Sequence, residues 1–360
     1  MEEFWFAPNR PARFLAITIG IVVASIAWFN PLVAQATSLV HSGVLPQHNG
    51  LEVVRTSSVF DLQQGSAAMA REDYMNALPH LQRSIEKNPL NVLALYDMAA
   101  CYEALAEQTK ERTQKRKLLA LAEGYYLRVA AASPELTVTY YKLGRLANQR
   151  GDRRRAKEYY QQGVAVEPNN HVLHFNLAVL YDQTDELQQA IHHYQQSLKI
   201  QPKLVYAYNN LGLLYERVGK LREAEQSYRS ALSIQRGYNF ARLNLANLYA
   251  HQNQWDRALS MYQDAVKIEP TNAWAHLYLG NAYFRKGLYA EAARCYQASI
   301  ENNESYGTTY YLLAVSLYRI DRLEEAAAAG LQYLSREPNG EHQAEMKQLL
   351  RTVRVKPGTP

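Results

Sequence analysis

A recurrence at 34 residues constrains this chain more than any other feature. Pro134, Pro168 and Pro202 stand 34 apart, and Pro202, Pro270 and Pro338 stand 68 apart. One pattern returns between them. The unit beginning at Thr137 carries Tyr140, Leu143-Gly144, Ala147, Ala156, Tyr160 and Pro168, and the next carries His174, Leu177-Ala178, Tyr181, Ala190, Tyr194 and Pro202. Units beginning at Val205, Asn239 and Ala273 repeat it through Leu211-Gly212 and Tyr228, Leu245-Ala246 and Tyr262, and Leu279-Gly280 and Tyr296. A last copy, from Gly307, has Leu313-Ala314, Ala326 and Pro338. The 27 tyrosines against 8 phenylalanines fit a chain that uses tyrosine at repeated positions.

The spacing has a mechanical meaning. Positions 4, 7, 8 and 11 of a unit share one face of a helix, and positions 20, 24 and 27 share a face of a second. Gly or Ala at position 8 and Ala at position 20 lack bulk, so the two helices can approach closely. Gly151-Asp152, Gly219 and Gly287 mark the turn between them, and the proline near position 32 stops the second helix. One such hairpin cannot bury its own apolar face, so neighbours must stack.

These residues resemble the tetratricopeptide repeat. The resemblance implies an all-α, right-handed superhelical solenoid of helix-turn-helix hairpins. It covers residues 58–340 as eight units: 58–91, 92–136, 137–170, 171–204, 205–238, 239–272, 273–306 and 307–340. The first is degenerate but keeps Gly65, Ala77, Leu81 and Pro89. Arg236 and Glu304 stand where proline is usual, and Gly330 where an aromatic is usual. The second unit is longer than the others by three helical turns, which predicts two lengthened helices projecting from one edge. Residues 341–355, with Ala344, Leu349, Leu350 and Val353 on one side, suit a helix that caps the last repeat, and 356–360 are expected to form a disordered tail.

Ahead of the repeats, residues 14–40 carry no charged side chain, and Phe14–Phe29 is nearly all apolar. Arg10 and Arg13 precede it, which predicts an N-in orientation with the remainder across the membrane. Sixteen helical residues span about 24 Å, short of the roughly 30 Å hydrocarbon core. Ala34 and Ala36 stand where a signal peptidase requires small side chains. Two readings stay open: a signal peptide, residues 1–36, cleaved after Ala36, or an uncleaved transmembrane anchor. Both predict an extracytoplasmic protein, periplasmic or lumenal, with 37–57 as a linker.

The residues outside the repeats leave no room for a catalytic domain, and no H-E-x-x-H, G-x-S-x-G, Walker or G-x-G-x-x-G pattern occurs. Two cysteines are too few for a four-thiolate zinc site. His192 and His193 are expected on the outward face of a second helix and His174 in a packing position, so no metal site is expected. The reading is a non-catalytic protein without a cofactor.

Function is expected on the stripe through positions 2, 6, 9 and 13 of each first helix, which the resemblance places on the concave wall. Position 6 reads Asn176, Asn210 and Asn244, and an amide both donates and accepts, so such a row can satisfy an extended peptide backbone. Position 2 reads Tyr206, Phe240 and Trp274; Asn247, Asn281, Arg217, His251 and Arg285 complete the stripe. Against this stands the frequency of asparagine at these positions whatever the ligand. A second candidate is a basic edge: Lys115, Arg116 and Lys117 in the long unit, with Arg153, Arg154 and Arg155 in the next turn. It reads either as a solvated face or as a patch for anionic headgroups or an acidic partner. The role implied is a protein-interaction scaffold or assembly factor at or across a membrane. The alternatives are a homo-oligomeric structural element and an RNA-binding repeat, the latter opposed by a net charge of only +5, so that no nucleic-acid partner is expected.

Overall fold

The computed structural model describes residues 51–303 and 307–355; the leader and the last five residues lie outside the described residues. The described chain divides into two compact units, residues 51–202 and 203–355. The first contains α1 (Leu51–Ala70), α2 (Tyr74–Lys87), α3 (Val92–Gln108), α4 (Arg112–Ala132), α5 (Thr137–Gln149), α6 (Arg153–Val166), α7 (His171–Gln183) and α8 (Leu187–Ile200). The second contains α9 (Val205–Arg217), α10 (Leu221–Ile234), α11 (Asn239–His251), α12 (Trp255–Ile268), α13 (Ala273–Arg285), α14 (Tyr289–Asn302), α15 (Gly307–Arg319), α16 (Leu323–Arg336) and α17 (Gln343–Val355). The described residues form no strand. The fold is an all-α repeat of helical hairpins.

The hairpins close where the sequence removes side chains. A Cβ built on Gly212 would stand 2.5 Å from the ring of Tyr228, and one on Gly280 would stand 2.7 Å from the ring of Tyr296. Both tyrosines are fully buried. Each such ring contributes on the order of 2–3 kcal/mol of burial, provided its hydroxyl finds a partner. Each does: Tyr228 donates to Glu216, Tyr262 to Asn247 at 2.5 Å, Tyr296 to Asn281 at 2.8 Å, and Tyr126 to Glu103 at 3.1 Å.

The turns alternate. Gly151, Gly219 and Gly287 take left-handed backbone angles, and the intervening units place Asp185, Asn253 and Asp321 in the same conformation, at φ 63°, 60° and 62°. Aspartate and asparagine tolerate this region better than other side chains, so the turn survives without the glycine that marks it in sequence.

The second hairpin, α3 and α4, is lengthened in both helices. α3 has 17 residues and α4 has 21, against 13 and 14 in the standard hairpins. Additions of about one and two helical turns return the apolar face to the same side, and Ala106, Leu118 and Leu119 of the extension are buried. Two expectations need correction. The linker assigned to 37–57 includes residues 51–57, which are helical: residues 51–64 hold neither glycine nor proline to interrupt the start of α1. Ala344, expected on the inner side of the terminal helix, is exposed; Met346 and Val353 are the buried contacts, with Leu349 packed beside them. Residues 346, 349 and 353 recur at helical spacing, one register off the stripe anchored on Ala344.

Candidate interaction surface

In the second unit, position 2 places Tyr206, Phe240 and Trp274 near the starts of α9, α11 and α13, each half-buried. Tyr238 joins the first two: its ring lies edge-on to Tyr206 at 5.4 Å and tilted against Phe240 at 5.7 Å. Trp274 stacks on Tyr278 at 6.0 Å, and Tyr278 on Tyr262 at 5.9 Å. Each ring is held by a neighbour while part of its surface faces outward.

At position 13, Arg217, His251 and Arg285 are exposed at the C-terminal ends of the same three helices. Cations are favoured there by the helix dipole. The Arg285 guanidinium also lies 5.7 Å from the centre of the Trp255 ring. Eleven residues of helix separate the aromatic row from this row of two arginines and a histidine, a distance of roughly 16 Å.

The amides between these rows do not form an open ladder. Asn210 is buried at 3% exposure, its Oδ1 accepting from Asn209 Nδ2 at 3.3 Å. Asn244 donates to Asn209 Oδ1 at 2.9 Å, so α9 and α11 are joined by an amide relay. Position 5 holds an apolar or aromatic packing residue elsewhere, as in Leu243 and Leu277, and Asn209 is the polar residue in that row. Its burial draws the neighbouring amides inward. Asn247 and Asn281 accept from the hydroxyls of Tyr262 and Tyr296. Asn176, in the first unit, is half-buried and donates to Val172 O at 2.7 Å.

The basic edge divides in two. Arg155 lies 3.7 Å from Glu123 and 3.6 Å from Asp152, Arg154 pairs with Glu158 at 2.7 Å, and Arg153 donates to Gln183 at 3.4 Å. Lys115, Arg116 and Lys117 are exposed, and among the described residues none of them makes an ion pair. The expected single patch is therefore a paired arginine turn and a separate cationic tip.

Two features of the first unit escaped the sequence reading. Glu103, 5% exposed, accepts from Lys142 Nζ at 3.1 Å and from Tyr126, and pairs with Arg145. Lys142 and Arg145 occupy positions 6 and 9 of their unit, and burial pushes the Lys142 ammonium below its usual range. The signal was the pair Glu103 and Glu107 on α3 facing two cations one hairpin later. His193 does not point outward either. Its Nδ1 lies 2.9 Å from His174 Nδ1, and its ring stacks on Tyr181 at 5.3 Å. His174 Nε2 donates to Pro168 O at 3.0 Å, which leaves its Nδ1 to accept from His193. Among the described residues no group of three or more His, Cys, Asp or Glu side chains is placed to hold a metal ion. Nor is any described helix long and apolar enough to cross a membrane.

Hairpins that pair across a small residue and a buried tyrosine define a helical-repeat protein. Models of the tetratricopeptide repeat match residues 62–136 and 277–341, residues 138–170 and 205–238, and residues 183–219 and 246–287. The chain carries tetratricopeptide repeats along most of its described length. No curated protein matches it. Among solved structures it is similar to PilF of Pseudomonas aeruginosa, at 18% identity and a TM-score of 0.52 over 60% of this chain and 98% of that one. It is also similar to PilW, a type IV pilus biogenesis factor, at 19% identity and a TM-score of 0.50 over 61% of this chain and 99% of that one. At these identities the likeness is one of fold.

Proposed function

We propose that the protein is a non-catalytic interaction scaffold, delivered across or tethered to a membrane by its leader, whose stripe over residues 205–285 takes up an extended segment of a partner protein. One observation carries the reading: three half-buried aromatic rings on successive first helices, each in contact with a neighbouring ring, with an exposed arginine about 16 Å along α9 and α13 and an exposed histidine in the same place on α11. Braced, partly exposed aromatics lose little conformational freedom on binding and are the side chains that most often anchor interfaces, and arginine accompanies them. A segment crossing the three helices meets apolar surface along one row and positive charge along the other. That favours a partner segment with apolar side chains on one edge and acidic ones on the other. The amide relay serves the scaffold in this reading, holding α9 against α11 so that the rings keep their spacing.

Site-specific photocrosslinking tests it. A photoreactive phenylalanine analogue at Phe240 or Trp274 in the full chain is expected to capture one partner protein in its native membrane setting. The same analogue at Gln226, exposed on α10, is expected to capture none. Equal capture at the two sites, or capture from Gln226 alone, contradicts the assignment.

A further inference from the structure

The second helices of the standard hairpins show water a mostly polar outer face, broken by Leu331 on α16 and, at helix ends, by Val166, Leu221, Ile234 and Ile268. On α8 it reads Gln188, His192, Gln195 and Lys199, and on α6 Arg154, Glu158, Gln161 and Gln162. The outer face of α4 departs from this. Its outward positions from Thr113 to Ala131 are all exposed, include Leu121 at 46% and Leu127 at 44%, and contain no carboxylate. Ahead of the leucines, the first turns of α4 carry Arg112, Lys115, Arg116 and Lys117, with no acidic residue in the first turn and no side-chain cap from Glu111. Cations at a helix N-terminus oppose the helix dipole, and those at Lys115, Arg116 and Lys117 gain no ion pair among the described residues in return. A local rule broken without compensation inside the fold points to a ligand outside it.

We propose that the projecting tip and outer face of α4 rest on the surface of an anionic lipid bilayer. The face of a single helix is a ridge, which suits a plane better than it suits a peptide. Two leucines and three cations are also far short of the roughly 1,200 Å² that a specific protein interface buries. On a bilayer the same groups act additively: leucines enter the headgroup boundary while lysine and arginine stems extend beside them to the phosphates. Such a patch orients a protein already held at a membrane. It does not depend on the stripe of the second unit.

Co-sedimentation of the full chain with vesicles tests this, read as the ratio of binding to vesicles containing 30% phosphatidylglycerol over binding to pure phosphatidylcholine. The ratio removes any contribution of the leader that is indifferent to lipid charge. The combined change Lys115→Glu, Arg116→Glu and Lys117→Glu is expected to lower the ratio about tenfold or more at low salt. Leu121→Ser with Leu127→Ser is expected to lower anionic binding several-fold, with helical content unchanged because both residues are exposed. The control pair Arg257→Glu and Lys267→Glu, exposed on α12, is expected to leave the ratio within twofold. The proposal is overturned by an unchanged ratio in the triple variant, by an equal fall in the control, or by soluble polyglutamate displacing the wild type at equal affinity from both vesicle types, which would assign the tip to an acidic protein.

Discussion

Met346 takes the place of a side chain that Gly330 lacks. Gly330 occupies position 24 of the last hairpin, where the five preceding repeats hold tyrosine, and a Cβ built on it would stand 2.6 Å from Met346 Sδ. Met346 is fully buried. Around it Tyr311 stacks on His342 at 4.0 Å, Tyr311 donates to Glu345 at 2.9 Å, and the His342 amide donates to Tyr333 Oη at 3.1 Å. A terminal helix thus closes the last hairpin by filling a gap left for it. Met346→Ala is expected to lower stability by about 2–5 kcal/mol and to release α17. Urea denaturation measures the first effect, and hydrogen exchange over residues 343–355 the second.

Gly212→Ala asks whether the close approach of α9 and α10 is required. The added methyl meets the wall of the buried Tyr228 ring, which cannot step aside in a close-packed interior. A loss of about 1–3 kcal/mol is expected despite the gain in helix propensity. A neutral or stabilising result in thermal unfolding would show that the hairpin can open at that point.

Asn247 separates support from recognition. If its amide serves Tyr262, Asn247→Ala strands a buried hydroxyl and costs about 1–3 kcal/mol, and adding Tyr262→Phe recovers part of that loss. The double-mutant cycle, read by denaturant midpoints, is expected to show coupling of about 1 kcal/mol. Strictly additive effects would mean that the hydrogen bond contributes nothing.

The histidine pair sets a pH dependence. Burial, with His174 and His192 nearby, pushes His193 down to about 4 from an ordinary 6.5. Between those values the unfolded chain binds a proton that the folded chain does not. The stabilisation is therefore complete above pH 6.5 and lost as pH falls toward 4. Because His193 is only half-buried, solvent screening reduces its size. His193→Gln keeps a donor for His174 and removes the titration. The difference in denaturation midpoint between wild type and variant is expected to shrink through this window. His171, whose pKa burial also lowers, titrates in both proteins and cancels.

Residues with one local job were legible in sequence. Leu143, Gly144 and Tyr160 announce the hairpin because each position admits few side chains, and the whole-turn extension of the second unit followed from its length. What failed depended on neighbours. The stripe rule groups Asn210 with Asn176 and Asn244 by helical spacing but cannot say how closely the next helix approaches, so its burial with Asn209 was invisible. Asp185, Asn253 and Asp321 replace glycine at turns because short polar side chains tolerate positive φ. The arginines of α6 looked like a patch because their acidic partners, such as Glu123, lie a helix away in sequence. The cap was expected, but Met346 was not, since only the structure shows the space above Gly330.

The measurement that bears most directly on the stripe is a titration of the partner segment identified by crosslinking onto the purified full chain, comparing wild type with Phe240→Ala and Trp274→Ala. Both rings are half-buried, so each variant is expected to stay folded with a melting temperature lowered by only a few degrees. Affinity is expected to weaken at least tenfold in each, the loss typical of an anchoring aromatic. Unchanged affinity in variants that remain folded would contradict the account and place the partner elsewhere on the protein.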